Sequence, residues 1–525
     1  MPEYAITKRG LLLGTAGALA AAGVGRARAA DAPVTVLLES EAVILDPHMT
    51  TAAITRTFGY HIWDTLFAMD NAGAIKPQMV ASWDTQADGL RWRFELRDRL
   101  AFHDAAAVTS ADVVASLKRW APLDALGRRM LAAGASFAAD GARAFTISLQ
   151  KPFPLMLDVL GKPNAPVPFI MPARIVEAAG AGRIKEIVGS GPFSFAADQW
   201  RPGDSMVIKR FDGYVPRPEP ADFLAGGKTV HLDRIVLRAI PDASTGAAAL
   251  IAGEIDYMQY LPFDWLGPLG KSPDVKIMTL TGLDMFQGNF RPNCASGPFA
   301  DPAVRAILWK LVNQKDMLDA AGIEPAYRVE NCPSFWVCGT PLATAAGSGV
   351  ARYDLAAAKA ALAQTAYKGE PVIMLQVNGS ISQAAGTLLA QNMREAGFTV
   401  DEQVMDWGTV LARRAKKDGW SLFPVYSNGV DMASPLNHFY VANNCADYPG
   451  WSCSKTMSDQ LEEFVAAPDD SARKRIAAAI QEEAYRLTPS VMWGQFARPA
   501  GYRKRLRNLA QSSFPIFWGV ELAGA

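Results

Sequence analysis

Alternating and periodic hydrophobic positions divide this chain into predicted strands and helices. Residues 90–96 alternate apolar and charged side chains, which is typical of a strand with one solvent-facing side, and Asp88-Gly89 before them predicts a tight turn. Residues 34–38 are uniformly apolar and predict a short buried strand. Residues 52–67 carry apolar side chains at spacings of four, which predicts one helix with a core-facing stripe.

The same strand-and-helix rhythm continues along the chain. Thr109 or Ser110 is predicted to cap a helix that begins near Asp112. We predict further strands at 206–209, 234–237 and 372–377, and further helices at 301–319, 355–364 and 382–396. No repeat of fixed period appears. This alternation predicts a mixed α/β fold.

The first 30 residues have a different pattern. Lys8 and Arg9 precede an apolar run of about 14 residues, and small residues including Ala29 and Ala30 follow it. The run is shorter than the ~20 residues that span a bilayer as a helix, so we predict a cleaved signal peptide at 1–30 and a periplasmic mature chain. Lys8-Arg9 resembles the twin-arginine export pattern, with the general secretory route as the alternative.

The balance of charged residues bears on whether the chain has a nucleic-acid partner. The 525 residues include 52 Lys and Arg against 52 Asp and Glu, so the formal net charge is zero. A neutral chain offers no broad basic surface for nucleic acid, and we expect no nucleic-acid partner. Half of the residues are hydrophobic, which is enough for packed cores.

The five cysteines all lie in the second half of the chain. Cys332 with Cys338, and Cys445 with Cys453, are close enough in sequence to suggest two local disulfides in an exported protein. Cys294 would be left over. Buried free thiols are the alternative, because sequence alone does not determine connectivity.

No catalytic or metal-binding constellation emerges from the sequence. The five histidines lack the short spacings of a metal site. Residues 226–229, Gly-Gly-Lys-Thr, lack the earlier glycine of a phosphate-binding loop, and the Ser-x-x-Lys at 452–455 lacks its companion motifs. We therefore expect no catalytic residue, no metal and no cofactor, and we predict that the chain is not an enzyme.

Several short motifs nevertheless follow one another in a characteristic order. They are Leu45-Asp46-Pro47, Trp63-Asp64-Thr65-Leu66, residues 76–83 ending in Ser-Trp, Phe102-His103-Asp104, Gly189-Ser190-Gly191-Pro192-Phe193, Gly253-Glu254-Ile255-Asp256 and Val304-Arg305-Ala306-Ile307. Together they resemble the extracytoplasmic solute-binding proteins of the peptide and nickel type, bacterial solute-binding protein family 5, which serve ABC importers. Ala105 stands where this family usually has glycine after Phe-His-Asp.

The resemblance implies a two-lobed fold with a hinge of two crossing strands, near 284–290 and 493–497. Lobe I would comprise 31–283 and 498–525, with an extra subdomain at about 66–188, and lobe II would comprise 284–497. Ligand would bind in the cleft between the lobes, and hinge closure would bury it. The implied partners are a membrane permease and an ATPase, and the protein is expected to be a monomer.

The resemblance also implies which residues contact the ligand. In peptide-binding members an aspartate of the second lobe pairs with the ligand's ammonium group, and alignment on Pro435 places Asp431 at that position. The alternative role for Asp431 is loop capping. Trp407 resembles a cleft tryptophan that covers the apolar part of the ligand, and core packing is its alternative role.

Departures from the family pattern bear on the choice of ligand. A second cleft tryptophan would fall near Asn428, where Tyr426 is the nearest aromatic residue, and the arginine that binds the carboxylate of dipeptides would fall near Gln376. A neutral amide does not replace a bidentate guanidinium. The prediction is therefore a receptor for small peptides or related amine-bearing solutes. Alternatives are an opine, a glutathione-like compound, a nickel complex, or an exported hydrolase on the same scaffold.

Overall fold

The computed structural model describes residues 33–467 and 469–523. The predicted signal peptide at 1–30 therefore lies outside the described residues. Within the described ranges, no helix has the length and apolar character that crossing a membrane requires.

Short strands and helices alternate throughout. The strands are β1 (Val34–Leu38), β2 (Phe67–Met69), β3 (Ile75–Pro77), β4 (Val80–Thr85), β5 (Arg91–Leu96), β6 (Ser136–Asp140), β7 (Ala144–Ser148), β8 (Phe193–Phe195), β9 (Ser205–Arg210), β10 (Arg234–Ala239), β11 (Tyr257–Met258), β12 (Val275–Met278), β13 (Phe286–Pro292), β14 (Arg328–Val329), β15 (Val372–Val377), β16 (Val400–Met405), β17 (Leu422–Asn428), β18 (Val491–Phe496), β19 (Ala500–Arg503), β20 (Leu506–Arg507) and β21 (Glu521–Leu522). The α-helices are α1 (Ala53–Ile62), α2 (Ser110–Trp120), α3 (Ala125–Ala132), α4 (Met156–Gly161), α5 (Ala173–Ala179), α6 (Ala243–Ala252), α7 (Leu266–Lys271), α8 (Pro302–Ala306), α9 (Gln314–Ala320), α10 (Leu355–Leu362), α11 (Ile381–Ala396), α12 (Trp407–Arg414), α13 (Phe439–Ala442), α14 (Lys455–Ala466) and α15 (Asp470–Leu487).

Two large mixed sheets organise the chain into two lobes. The sheet of lobe I has seven strands in the order β12-β19-β11-β1-β10-β9-β8, so it combines the N-terminal part of the chain with β19 from near the C-terminus. The sheet of lobe II has six strands in the order β14-β18-β13-β17-β15-β16. A separate four-stranded sheet, β4-β5-β7-β6, belongs to an additional subdomain. We keep 284–497 as the proposed bounds of lobe II.

The chain passes between the lobes next to two paired strands. β13 and β18 lie side by side and antiparallel at the centre of the lobe II sheet. One crossing leads from β12 of lobe I into β13, and the other leads from β18 back to β19 of lobe I. The two strands pack so closely that a Cβ atom at Gly288 would lie 2.1 Å from the ring of Trp493. Only glycine fits this position, which explains a glycine in the middle of a fully buried strand.

Most of the predicted elements are confirmed. β1, β5, β9, β10, β15, α10 and α11 match the predicted ranges to within two residues at each end. α2 begins at Ser110, where the Asp112 side chain accepts a hydrogen bond of 2.8 Å from the Thr109 backbone N–H. In a capping box, the side chain of the third helical residue accepts a hydrogen bond from the backbone N–H of the cap residue, and this contact is that bond.

The helix predicted at 52–67 is too long, because α1 ends at Ile62. Trp63 has an extended backbone, and its indole N–H donates to the Val188 carbonyl oxygen at 3.1 Å. The next residue, Asp64, forms a buried ion pair with Lys228. Tertiary contacts thus end the helix, although the apolar spacing continues to Leu66.

The single helix predicted at 301–319 is also wrong. The segment contains α8, a short 3-10 turn at Ile307–Lys310 and then α9. The Asn313 side chain accepts hydrogen bonds from the backbone N–H groups of Lys315 and Asp316, so it caps a new helix within the predicted one. An internal cap restarts the helix because it satisfies the N–H groups of a first turn.

Two of the short motifs, the one around Asp46 and the one that begins at Gly189, make structural contacts within lobe I. Asp46 is buried and binds both terminal nitrogens of Arg119, at 3.1 and 2.6 Å, which fixes α2 against the segment after β1. The Gly189 backbone N–H donates to Nδ1 of His103 at 3.1 Å. A Cβ atom at Gly189 would lie 1.8 Å from the Ile62 carbonyl oxygen, so this motif packs directly on the end of α1.

A second buried ion pair lies in the centre of lobe I. Lys228 Nζ donates to Asp64 Oδ1 at 2.8 Å, and both side chains are almost fully buried. Tyr214 donates its hydroxyl to Asp64 Oδ2, also at 2.8 Å. Burial alone would raise the pKa of Asp64, but the neighbouring Lys228 charge holds that pKa below its usual value.

Removing one member of this pair should destabilise lobe I strongly. Lys228→Met keeps most of the side-chain volume but leaves the Asp64 carboxylate buried without its cation, so we expect a loss of about 3–5 kcal/mol in the free energy of unfolding. Urea unfolding followed by circular dichroism measures this loss. The control Lys276→Met, at an exposed position of β12 in the lobe I sheet, should change stability by less than about 0.5 kcal/mol. Equal effects of the two substitutions would contradict this account of lobe I.

Candidate functional site

One strand of lobe II and the turn that follows it reach the interface with lobe I. β17 ends at Asn428, and a 3-10 turn over Gly429–Asp431 follows. The turn is held at the start of β13, because the Gly429 N–H donates to the Met285 carbonyl oxygen at 2.7 Å. Tyr426 and Asn428 lie on the same face of β17, since side chains alternate along a strand. Three of the five predicted ligand residues are therefore close along one segment.

Asp431 forms an ion pair with a residue of the opposite lobe. Its Oδ1 accepts a short hydrogen bond from Nη1 of Arg56, which lies in α1 of lobe I, and the two side chains are only 5% and 1% exposed. Arg56 also donates to the Pro163 carbonyl oxygen at 3.4 Å, and its guanidinium lies 4.7 Å from the centre of the Phe514 ring. Burial raises the pKa of Asp431, and the Arg56 charge opposes that rise without cancelling it.

Several polar atoms around this ion pair have unused hydrogen-bonding capacity. Nε and Nη2 of Arg56 are buried and have no hydrogen-bond partner among the described residues. The same is true of Oδ1 of Asn428. Two donors on Arg56 and an acceptor three residues before Asp431 along the chain are thus unsatisfied. Buried polar groups normally find partners, and unsatisfied ones indicate a function or a further binding partner.

Tyr426 takes part in a second interlobe contact, near the hinge. Its hydroxyl donates a short hydrogen bond to the Glu39 carboxylate, which follows β1 in lobe I. Arg498, just after β18, donates to the same hydroxyl at 3.0 Å and also pairs with Glu39. The Arg498 guanidinium lies 4.1 Å from the centre of the Tyr260 ring. Tyr426 is therefore an interlobe residue, as a cleft residue must be.

The additional subdomain also reaches lobe II. Arg128 donates to Oδ1 of Asn443 at 2.8 Å, and Arg129 forms an ion pair with Glu462 in α14. Like Arg56, both arginines lie on the lobe I side and meet an oxygen acceptor of lobe II. Arginines on the lobe I side thus meet oxygen acceptors of lobe II at three separate points, and the acceptor is a carboxylate at two of them.

The structure does not group the other two predicted ligand residues with Asp431. Gln376 is buried in β15, where its Nε2 donates to Glu402 at 2.6 Å. Trp407 is half-buried at the start of α12 and packs against a cluster that includes Trp420 and Phe423, with the Arg414 guanidinium 5.2 Å from its ring centre. Both residues have partners within lobe II, and their ligand roles remain predictions.

No motif or spacing in the sequence identified Arg56 as a site residue. It is buried in α1, a helix whose remaining residues are apolar, small, hydroxyl-bearing or aromatic, apart from His61. A lone arginine in such a helix is a usable signal, because an arginine is almost never fully buried unless it is paired. The spacing of the apolar residues predicted only a core-facing stripe for this helix, and it gave Arg56 no role.

Two disulfides close loops in lobe II. Cys332 bonds to Cys338, and Cys445 bonds to Cys453, with Cα–Cα distances of 5.7 and 4.2 Å. Among the described residues, Cys294 is unpaired and half-buried. Burial raises the pKa of the Cys294 thiol, which makes it a poor nucleophile at neutral pH.

The histidines have structural environments. His48, His61 and His438 are buried, and His231 is exposed. Burial lowers the pKa of His48 and of His438 to about 3, and that of His61 to about 4. In the part of the chain that the structure describes, no group of three or more His, Cys, Asp or Glu could hold a metal ion.

Two α/β lobes, joined beside a pair of central strands and facing each other through complementary polar residues, define the two-lobed periplasmic-binding fold. The structure of the binding protein AgaA from A. tumefaciens R10, in complex with agropinic acid, has the same fold. The TM-score is 0.77, and the match covers 94% of this chain and 99% of that one at 21% sequence identity.

Sequence comparison identifies the family. The model for "Bacterial extracellular solute-binding proteins, family 5 Middle" matches residues 74–450. A probable peptide ABC transporter periplasmic-binding protein, y4tO of Sinorhizobium fredii, is 32% identical over 510 residues, covering 94% of each chain. The glutathione-binding protein GsiB of Escherichia coli K12 is 24% identical over 514 residues, covering 92% of each.

The chain belongs to this family of extracellular solute-binding proteins, as its motifs predicted. It is a substrate-binding protein of the ABC-importer type. The family works with a membrane permease and an ATPase.

The buried histidines should make the protein less stable in mild acid. In the unfolded chain their pKa is about 6.5, so between about pH 6.5 and 5 the unfolded state binds protons that the folded state does not. The free energy of unfolding should therefore fall as the pH falls, by about 1.4 kcal/mol per pH unit for each fully titrating histidine. Urea unfolding at several pH values measures the slope. His48→Gln should reduce it and His231→Gln should not, whereas a flat profile would contradict the assignment.

Proposed function

We propose that this protein captures small peptides or related amine-bearing solutes in the cleft between its lobes and delivers them to a membrane permease. The observation that carries the proposal is the position of Asp431, a buried carboxylate of lobe II that faces lobe I. A charge-assisted hydrogen bond to an ammonium group is stronger in such a dry site than at the surface.

The contact with Arg56 supports a cation-binding role for Asp431. A guanidinium from the opposite lobe already pairs with its Oδ1, so the position accepts positive charge across the interface. Among the described residues, no donor bonds to Oδ2 of Asp431, which leaves that atom for a ligand ammonium. Loop capping, the alternative role, has no support in the hydrogen bonds of this side chain.

Hinge closure provides the means of signalling that a ligand is bound. Arg56 and Asp431 belong to different lobes, so lobe opening would separate them and expose both charges to water. A ligand that contacts both lobes stabilises the closed state because it binds that state more tightly. The permease would then recognise the closed protein.

The printed names of the relatives are consistent with this ligand class. A peptide transporter component, a glutathione-binding protein and a protein in complex with agropinic acid all appear among them. We further propose that the protein works as a periplasmic monomer, exported by the predicted signal peptide, and that it binds its ligand without transforming it.

Neutralising Asp431 should weaken binding of an amine-bearing ligand. Asp431→Asn keeps the shape of the side chain but removes its charge, so we expect a loss of about 1.5–3 kcal/mol in binding free energy. Calorimetry with the tightest binder from a panel of tripeptides, longer peptides, glutathione and opines measures this loss. Asp418→Asn, at an exposed position of the same lobe, is the matched control and should bind as the parent does. Unchanged affinity in Asp431→Asn would remove this residue from the site.

A further inference from the structure

A short loop closed by a disulfide lies against the strands that join the lobes. This disulfide loop runs from Cys332 to Cys338, and its residues 334–337 are buried. Buried backbone groups need hydrogen-bond partners, and here side chains supply many of them because the loop is neither helix nor strand. Four of these side chains are glutamines, each from a different element: Gln287 of β13, Gln314 of α9, Gln481 of α15 and Gln495 of β18.

Two of the glutamines hold the ends of the disulfide loop. Gln314 accepts from the Cys332 N–H at 2.7 Å and donates to the Cys332 carbonyl oxygen at 2.9 Å. Gln495 accepts from the Cys338 N–H at 2.7 Å and donates to the Cys338 carbonyl oxygen at 3.1 Å. Both backbone groups of each disulfide-bonded cysteine are therefore fixed by one side-chain amide.

The middle of the disulfide loop binds the other crossing strand. Gln287 donates to the carbonyl oxygens of Ser334 and Phe335, at 3.0 and 3.2 Å, and Gln481 accepts from the Phe335 N–H at 3.0 Å. Gln287 and Gln495 are paired across β13 and β18, and each lies one residue from the end of its strand that meets a crossing. The disulfide loop thus contacts both strands where they enter and leave lobe II.

The conformation of the disulfide loop depends on an external constraint. Val337 has a φ of 59°, in the left-handed region that disfavours β-branched residues. Such a backbone persists only where its surroundings enforce it, and the disulfide holds the next residue, Cys338, with its Cα 5.7 Å from that of Cys332. Opening the disulfide would let Val337 relax and move the loop away from β18. Val337 also packs in one cluster with Met432, the residue after Asp431.

We propose that the Cys332–Cys338 disulfide is a redox-sensitive switch that fixes the hinge strands when oxidised and releases them when reduced. Cys338 is half-buried and Cys332 is buried, so a dithiol reductant reaches the Cys338 sulfur. One thiolate of the dithiol attacks that sulfur, the S–S bond breaks, and the Cys332 sulfur leaves as a thiolate that takes up a proton. The second thiol then releases Cys338. The dithiol becomes a disulfide, and the protein gains two electrons and two protons.

Hydrogen–deuterium exchange of the full mature chain tests the switch. In the double variant Cys332→Ser with Cys338→Ser, amides at 286–288 and 494–496 should exchange at least about fivefold faster, because buried hydrogen bonds that hold these strands are lost. Cys445→Ser with Cys453→Ser is the matched control, since it opens a loop of similar length in the same lobe. That loop meets β13 through Arg291 and Pro449, near the end of β13 away from the crossing, so these amides should exchange as in the parent.

The control variant also tests reversibility, because Cys332–Cys338 is its one disulfide among the described residues. Dithiothreitol should raise its hinge exchange to the level of the Cys332→Ser, Cys338→Ser variant, and reoxidation should restore the original rate. Alkylation followed by mass measurement counts the thiols formed. A Cys332–Cys338 bond that resists dithiothreitol while the protein stays folded would overturn the switch.

Variants of the glutamines show whether the disulfide acts through β18. In Gln495→Leu, reduction should change hinge exchange by less than about twofold, because the contact between the disulfide loop and β18 is already lost. Gln314→Leu removes the equivalent contact to α9 and should keep the full response to reduction.

The remaining outcomes are decisive without any ligand. Equally fast hinge exchange in the two serine double variants would indicate a general loss of stability and would overturn the proposal, as would a full response to reduction in Gln495→Leu. If the Cys332→Ser, Cys338→Ser variant does not fold, reduction of the control variant decides the question. The readout contains no solute, so the proposed function stands or falls separately.

Discussion

The contact between Arg56 and Asp431 constrains the rest of this structure, because it places two opposite charges in a dry interface between parts that must separate. Burying each charge costs several kcal/mol, and their attraction offsets that cost only when the geometry is good and the remaining polar atoms are satisfied. In an open protein, water would solvate both groups. The pair therefore contributes little to closure by itself, and a ligand that satisfies its unused atoms can decide whether the lobes stay together.

Such an arrangement requires lobes that do not deform. Asp46 with Arg119 and Asp64 with Lys228 are buried ion pairs within lobe I, and neither has to open during binding. They fix α1, α2 and the loops around them, so Arg56 is presented from a rigid helix. In lobe II, the close packing of Gly288 against Trp493 fixes the central strands, and the turn that carries Asp431 is held at the start of one of them. The movement is then confined to the short connections between the two sheets.

The sequence was sufficient for the fold class and the family, because both depend on patterns that are local along the chain. Strands such as β15 and helices such as α11 were predicted from apolar spacing alone. The predictions were wrong where a long-range contact overrides local spacing, as at Trp63, where an indole hydrogen bond and a buried ion pair end α1 early. The site was predicted only in part, for the same reason. Asp431 was found from a motif, but its partner Arg56 is 375 positions away along the chain, and no local pattern connects them.

Native mass spectrometry of the protein purified from its native host measures the captured molecule most directly, because a closed cleft retains its ligand during gentle desolvation. The account predicts a small-molecule adduct that contains a free amino group, that is released on denaturation and that is depleted in Asp431→Asn. An adduct without an amino group, or one retained equally by Asp431→Asn, would contradict it.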